Sequence, residues 1–220
     1  MTLGPFPYVK LREIVSFRNG YQARNSKSMP IDEDTQGEGR TESSAPIARV
    51  IQVRHTDRDF MQINLADVEI VPFVRSKKTE TYEVKEDEFV FLAKGKPAAF
   101  GVVGWDQCQD QLPVIASSHF FIGRPIHDEV NVEYLVWVLN QRPIEVQIDK
   151  HISSSAAAFI SKTDLLDLEI PLASSDVQQT IGRASRLHQR AKELSRRREL
   201  LQDQLVNHVL CSRLYNHHGG

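Results

Sequence analysis

The feature that most constrains this chain is an uninterrupted helical run from about Asp176 to Ser212. It is entered from an alternating apolar segment, Leu165-Leu166-Asp167-Leu168-Glu169-Ile170-Pro171-Leu172, that closes with a proline. A helix of that length spans roughly 55 Å, more than a domain of this size needs to bury its own core. It reads as a spacer or docking arm leaving a globular body, and a protein built this way works by holding something at a distance.

The arm carries a heptad pattern. Val177, Ala184, Ala191, Arg198 and Leu205 form one row, and Thr180, Leu187, Leu194, Leu201 and His208 form a second, interleaved with it. These are the a and d positions of a coiled coil. Arg198 and His208 interrupt the seam, and the small Ala184 and Ala191 allow close approach of a partner helix. The partner interface is therefore assigned to Ala184, Leu187, Ala191, Leu194, Leu201 and Leu205. The flanks are basic, with Arg183, Arg186, Arg190, Lys192, Arg196, Arg197 and Arg198. The competing reading is a helix folded back along its own domain, but about five heptads is more self-packing than a short chain needs.

Composition sets the outer bounds. In 220 residues, 40% hydrophobic and 25% charged, there is room for one domain with an extension and enough apolar content for a core. The net charge of −2 conceals an asymmetry: residues 176–216 carry eight Lys/Arg against four Asp/Glu, a balance of +4 that leaves −6 for the rest. A uniformly basic nucleic-acid binder is excluded, whereas a local basic patch is not. Two distant cysteines, Cys108 and Cys211, make neither a disulfide framework nor a zinc site. With no signal-peptide pattern and no membrane-length apolar run, the expectation is a cytoplasmic protein without a membrane partner.

The coarse pattern gives an α+β body with a small mixed sheet over 1–173, followed by the coiled-coil helix over 174–216. Val9 to Phe17 reads as one apolar-alternating element ending at the turn dipeptide Asn19-Gly20. Strands are expected at Ile47 to His55, Met61 to Leu65, Val68 to Val74, Glu88 to Leu92, Ala98 to Val103 and Pro113 to Ile122. Helices are expected over Asn131 to Asn140 and from Pro143 to His151, the latter with proline in its first turn. Ser161 or Thr163 caps the turn leading into Leu165.

The search for catalytic chemistry returns little. Gly95-Lys96 is followed by Pro97 and lacks the upstream glycine of a phosphate loop, and Gly101-Val102-Val103-Gly104 lacks a dinucleotide-binding triad. Neither the glycine motif nor the catalytic tetrapeptide of an adenine methyltransferase is present. Ser117-Ser118-His119 and His55-Thr56-Asp57 have no nucleophile elbow around them. One alternative stays open: Asp32, Glu83 and Lys85 read as the carboxylate pair and lysine of a Mg-dependent nuclease. Against it, Glu83 belongs to an acidic run of the kind that usually forms a solvated face.

What remains is a set of polar, basic loops suited to touching nucleic acid. Arg and Lys neutralise phosphates and read guanine edges, and Asn and Gln bond adenine. The candidates are Gln22, Arg24, Asn25 and Lys27; Arg75, Lys77 and Lys78; Lys94 and Lys96; and Ser153, Ser154 and Ser155.

Taken in order, several segments resemble the DNA-specificity (S) subunit of type I restriction–modification systems. They are Val9-Lys10-Leu11-Arg12-Glu13-Ile14-Val15 with Asn19-Gly20-Tyr21; Phe89-Val90-Phe91-Leu92-Ala93-Lys94-Gly95; Tyr134-Leu135-Val136-Trp137-Val138-Leu139-Asn140; and Ile160 to Leu172 with Gln178-Gln179-Thr180-Ile181. The resemblance implies a target recognition domain that inserts loops into the major groove of double-stranded DNA, and a spacer helix that packs with another. It implies a non-catalytic chain with no cofactor of its own. S-adenosylmethionine is carried by partner methyltransferase (modification) subunits, through which the restriction subunit is reached. The family's usual subunit has two recognition domains and two spacer helices, so the expectation here is a half-subunit joined to a second copy, or to a different half-subunit, through the arm. Ala173-Ser174-Ser175 stands where the family has a proline pair. Base-contacting residues vary within the family, so none is carried over by resemblance. A protein that occupies methyltransferase surfaces through its coiled coil, without binding DNA, is the remaining alternative.

Overall fold

The computed structural model describes residues 6–22, 47–73, 79–108, 110, 112–152 and 158–215. Its centre is a five-stranded sheet. β1 (Tyr8–Lys10) and a helical turn, α1 (Leu11–Ile14), lead into β2 (Val15–Asn19). Then follow β3 (Ile47–Ile51), β4 (Gln62–Asn64), β5 (Ile70–Pro72), β6 (Phe89–Leu92), β7 (Ala98–Val103), β8 (Val114–Ala116) and β9 (Phe120–Pro125). The large sheet has the order β2-β9-β6-β7-β4 and a smaller one the order β5-β3-β8. Both are mixed, because β4–β7 and β3–β8 pair in parallel.

Strand alternation explains why β6 belongs to two of the three buried clusters among the described residues. Phe89 and Phe91 of β6 point into a cluster with Phe17, Phe121, Tyr134, Leu135 and Leu139, while Val90 and Leu92 point into one with Ile51, Ile63, Leu65, Phe100 and Ile122. Buried on both faces, β6 reads as an unbroken apolar run, as a central strand should.

Helices α2 (Val132–Leu139) and α3 (Arg142–His151) cover the first face. The Asn131 side chain caps α2 by accepting the Tyr134 N–H at 2.8 Å. At the other end, Asn140 completes a helix-to-sheet junction. Its Oδ1 accepts the Ala99 N–H at 3.1 Å, and its Nδ2 donates to the Ala99 carbonyl at 2.8 Å. The short α4 (Lys162–Leu166) is capped by Ser161, whose Oγ accepts the Asp164 N–H at 3.1 Å. It leads to β10 (Glu169–Pro171), which pairs antiparallel with β1 and ties residues far apart in sequence together.

The architecture is α+β, as expected, with local corrections. The strand read over Ile47 to His55 ends at Ile51, and Val53–His55 is a 3-10 turn. The single element read over Val9 to Phe17 is two strands separated by α1, where the Glu13 carboxylate accepts the Lys10 N–H at 2.9 Å. The strand read over Pro113 to Ile122 is two, and the turn at Ser117 carries the chain from the small sheet to the large one. The first part of the alternating segment from Leu165 is the end of α4. At α1 and α4 the apolar residues occur at spacings that a short helical turn and a strand both satisfy, whereas the break at Ser117-Ser118-His119 is a polar turn.

The arm, α5 (Ser175–Tyr215), divides the two readings of the sequence between its halves. Its first half folds against the body: Ile181 packs on the main core, and Gln178 and Gln189 are buried. Gln178 Oε1 accepts the Asn131 N–H at 3.0 Å, and its Nε2 donates to the Ala173 carbonyl at 2.8 Å. Arg186 pairs with Glu133 at 2.9 Å. Farther along, the turn at residues 57–61 is held down by five contacts. Arg196 pairs with Asp57 at 2.8 Å, and its guanidinium lies 5.5 Å from the centre of the Phe60 ring. Lys192 donates to the Asp59 carbonyl at 3.2 Å. Gln189, with its amide nitrogen turned toward the turn, donates to the carbonyls of Phe60 and Asp59. Met61, at φ 48°, closes this turn in the left-handed region. Beyond Arg196 the described side chains of the arm are exposed, apart from a half-buried Ser212.

Candidate nucleic-acid interface

Long-range strand pairing brings the stems of the four predicted loops to one region of the body. β2 ends at Asn19, opposite Phe121 of β9, and the chain continues as Gly20, whose N–H donates to the Phe120 carbonyl at 2.9 Å. Tyr21 then donates to the Ala116 carbonyl at 2.7 Å, leaving Gln22 exposed. A Cβ on Gly20 would lie 2.1 Å from the Ser117 carbonyl oxygen, so this crossing admits glycine alone.

The hairpin joining β6 to β7 reaches the same place. Ala93 donates to the His119 carbonyl at 2.9 Å, and Gly95, at φ 85°, forms the tip between exposed Lys94 and Lys96. Neither ammonium forms an ion pair among the described residues. The Gly95 N–H donates to the Ala158 carbonyl at 2.7 Å, and Lys94 forms a β-bridge with Phe159. The residue following the 153–157 segment is thus fastened to the hairpin tip. The stems of the last segment, 74–78, are gathered by Tyr21. Its ring lies edge-to-face with Phe73 at 5.5 Å and with Tyr82 at 5.4 Å.

Of the twelve predicted DNA-contacting residues, Gln22, Lys94 and Lys96 are described and fall in this region. Arg24, Asn25, Lys27, Arg75, Lys77, Lys78, Ser153, Ser154 and Ser155 lie outside the described residues. Sequence reasoning missed His119, exposed between Gln22 and Lys94, and Phe159, half-exposed beside the hairpin. Tyr21, which organises the stems, was visible only as the residue after a turn dipeptide.

The interface residues proposed on the arm all belong to one outward face. Leu187, Leu194, Leu201 and Leu205 are more than half exposed, and Ala184 and Ala191 are exposed between them. The opposite face of the first half, Gln178, Gly182 and Gln189, is the one against the body.

Other chemistry finds no support. No group of three His, Cys, Asp or Glu residues suited to a metal ion exists among the described residues. The Glu83 carboxylate pairs with Lys85, and Arg18 binds the Glu88 carboxylate, with an Nη2 to Oε2 distance of 2.6 Å, together with the Glu83 carbonyl. Two members of the nuclease reading thus neutralise each other within a structural network, and the third, Asp32, lies outside the described residues. His55 Nδ1 accepts the Gln52 N–H at 3.0 Å, and burial followed by the nearby Arg54 charge lowers its pKa. A groove of about 520 Å³ between the arm and residues 55–67 is lined by both signs of charge, including Asp57, Asp67, Glu193, Arg190 and Arg196. No described helix is long and apolar enough to cross a membrane.

No protein-family model and no curated protein matches this chain. Solved structures do. The type I restriction–modification S subunit from M. genitalium matches with a TM-score of 0.50 at 11% identity, over 92% of this chain and 45% of that one. The HsdS subunit from Thermoanaerobacter tengcongensis matches with a TM-score of 0.54 at 15% identity, over 89% and 40%. A chain from a structure on complex assembly and conformational transition of the type I R–M system matches with a TM-score of 0.55 at 16% identity, over 94% and 44%. The body and arm together therefore have the fold of these subunits, and this chain spans less than half the length of each.

Proposed function

We propose that this chain is a DNA-specificity element of a type I restriction–modification complex. The body is its target recognition domain and reads one half of a bipartite site. The arm packs through Ala184, Leu187, Ala191, Leu194, Leu201 and Leu205 against a second spacer helix, which belongs to a second recognition domain. The chain performs no chemistry itself; modification subunits bring S-adenosylmethionine, and through them the restriction subunit is recruited.

The observation that carries this reading is the meeting of the four loop stems at one region of the sheets, with Lys94 and Lys96 at the hairpin unpaired among the described residues. The arm docks elsewhere, near Gly101–Trp105 at the far end of β7 from that tip. A surface for a ligand and a surface for a partner are thereby separated by the body. The fold shared with S subunits supports the same assignment. The acidic balance of the body argues for modest affinity by the chain alone, with tight binding reached when the modification subunits close around the duplex.

Genome-wide methylation sequencing of the host with and without this gene tests it. Loss of an interrupted palindrome on deletion supports recognition by two copies of the chain, and loss of an asymmetric bipartite motif supports a different second half. An unchanged methylome with the modification subunits expressed refutes the assignment.

A further inference from the structure

Phe159 is one of two exposed aromatic side chains among the described residues, the other being Tyr8 on β1. It is 37% exposed, yet its backbone is tied to the hairpin. The bridge to Lys94, the Gly95 bond to the Ala158 carbonyl and a 3.1 Å bond from the Ile160 N–H to the Ala93 carbonyl lock its backbone to the hairpin. Its ring meets Phe121 edge-to-face at 6.4 Å. Lys94 is its bridge partner, Lys96 lies two residues farther along the same hairpin, and no carboxylate pairs with either lysine among the described residues.

An exposed apolar ring held beside two phosphate-binding lysines calls for an apolar feature on the ligand. In the major groove of unmodified DNA that feature is the 5-methyl group of thymine. We infer that Phe159 reads a thymine by contact with its 5-methyl group, Lys94 and Lys96 holding the neighbouring phosphates. The inference rests on the proposed DNA-recognition function and names a contact within it.

The test uses the full chain and duplexes it enriches from a random pool at low salt. Each thymine is replaced singly by deoxyuridine, which deletes only the methyl. The expected result is one position where the loss weakens the wild-type chain about fourfold, and where Phe159→Ala is indifferent while still discriminating elsewhere. A second measurement is independent of the variant's folding: 5-iododeoxyuridine placed at the sensitive position should photocrosslink the wild-type chain in the peptide that contains Phe159. Undiminished methyl sensitivity in Phe159→Ala, a wild-type chain that binds with no sensitive thymine, or a crosslink to a different peptide would each overturn the inference while leaving DNA recognition intact. If the wild-type chain enriches no duplex at all, the functional reading falls and this contact with it.

Discussion

Gly182 of the arm lies so close to Asn131 that a Cβ on the glycine would sit 2.7 Å from the Asn131 Oδ1. That oxygen is already committed to capping α2, and the Asn131 N–H is held by Gln178 of the arm. A mid-helix glycine costs about 1 kcal/mol in helix propensity relative to alanine. Here it permits an approach that fixes where the arm lies on the body. Gly182→Leu should therefore destabilise the folded body by about 2 kcal/mol through overpacking, whereas Ala184→Leu on the exposed face should be close to neutral. Thermal unfolding of the two variants checks this, and equal melting temperatures would refute it.

Leu194 is 52% exposed at the middle of the outward seam. Leu194→Asp should leave the body's melting temperature unchanged while abolishing association through the arm. Light scattering that shows the same mass for wild type and variant would contradict the assignment of this face.

The crossing at Gly20 has no space for a side chain. Gly20→Ala should cost about 1–3 kcal/mol and blur sequence discrimination, because the Ser117 turn must move to admit the Cβ. Denaturant unfolding and binding to matched and mismatched duplexes report the two effects separately.

If Lys94 and Lys96 contact phosphates, replacing either with Gln should weaken all duplexes alike. Each loss should lower the slope of log affinity against log salt by about 0.9. A change confined to one sequence would instead make the lysine a base reader.

Asp167 joins α4 to the first strand–turn unit through Lys10 at 3.2 Å and Arg12 at 2.6 Å. The Lys10 hydrogen bond, with the Arg12 charge, holds its carboxyl below the ordinary 3.8. A carboxyl depressed in the folded state adds stability above its unfolded pKa and loses it as pH falls through the folded value. Asp167→Asn should thus lower stability slightly at neutral pH and reduce the acid sensitivity seen below about pH 4. The effect is small because the pair is exposed. Chemical denaturation at pH 7 and pH 3 measures it.

The elements that the sequence announced clearly are those whose signals are local. β6 showed itself as an unbroken apolar run, α2 by its spacing, and the α4 cap by Ser161 three residues before Asp164. The turn α1 stayed hidden, since four residues seldom distinguish helix from strand by spacing alone, and the three-residue turn Ser117–His119 lies inside an otherwise apolar run. Phe159 was passed over for a related reason. On the sequence it is an apolar residue after three alanines, and its exposure follows from pairing with a hairpin tip more than sixty positions earlier.

The sequence by itself determined the arm, because a heptad needs only the helical period to be read, and the chemical character of the loops, because charge is a property of residues. Only the tertiary structure decided which half of the arm lies on the body, where Gly182 and Gln189 matter more than any leucine. It also decided that loop stems scattered from Gln22 to Phe159 converge. Both depend on strand register and helix-to-helix approach between residues distant in the chain, and these are set by packing the whole core at once.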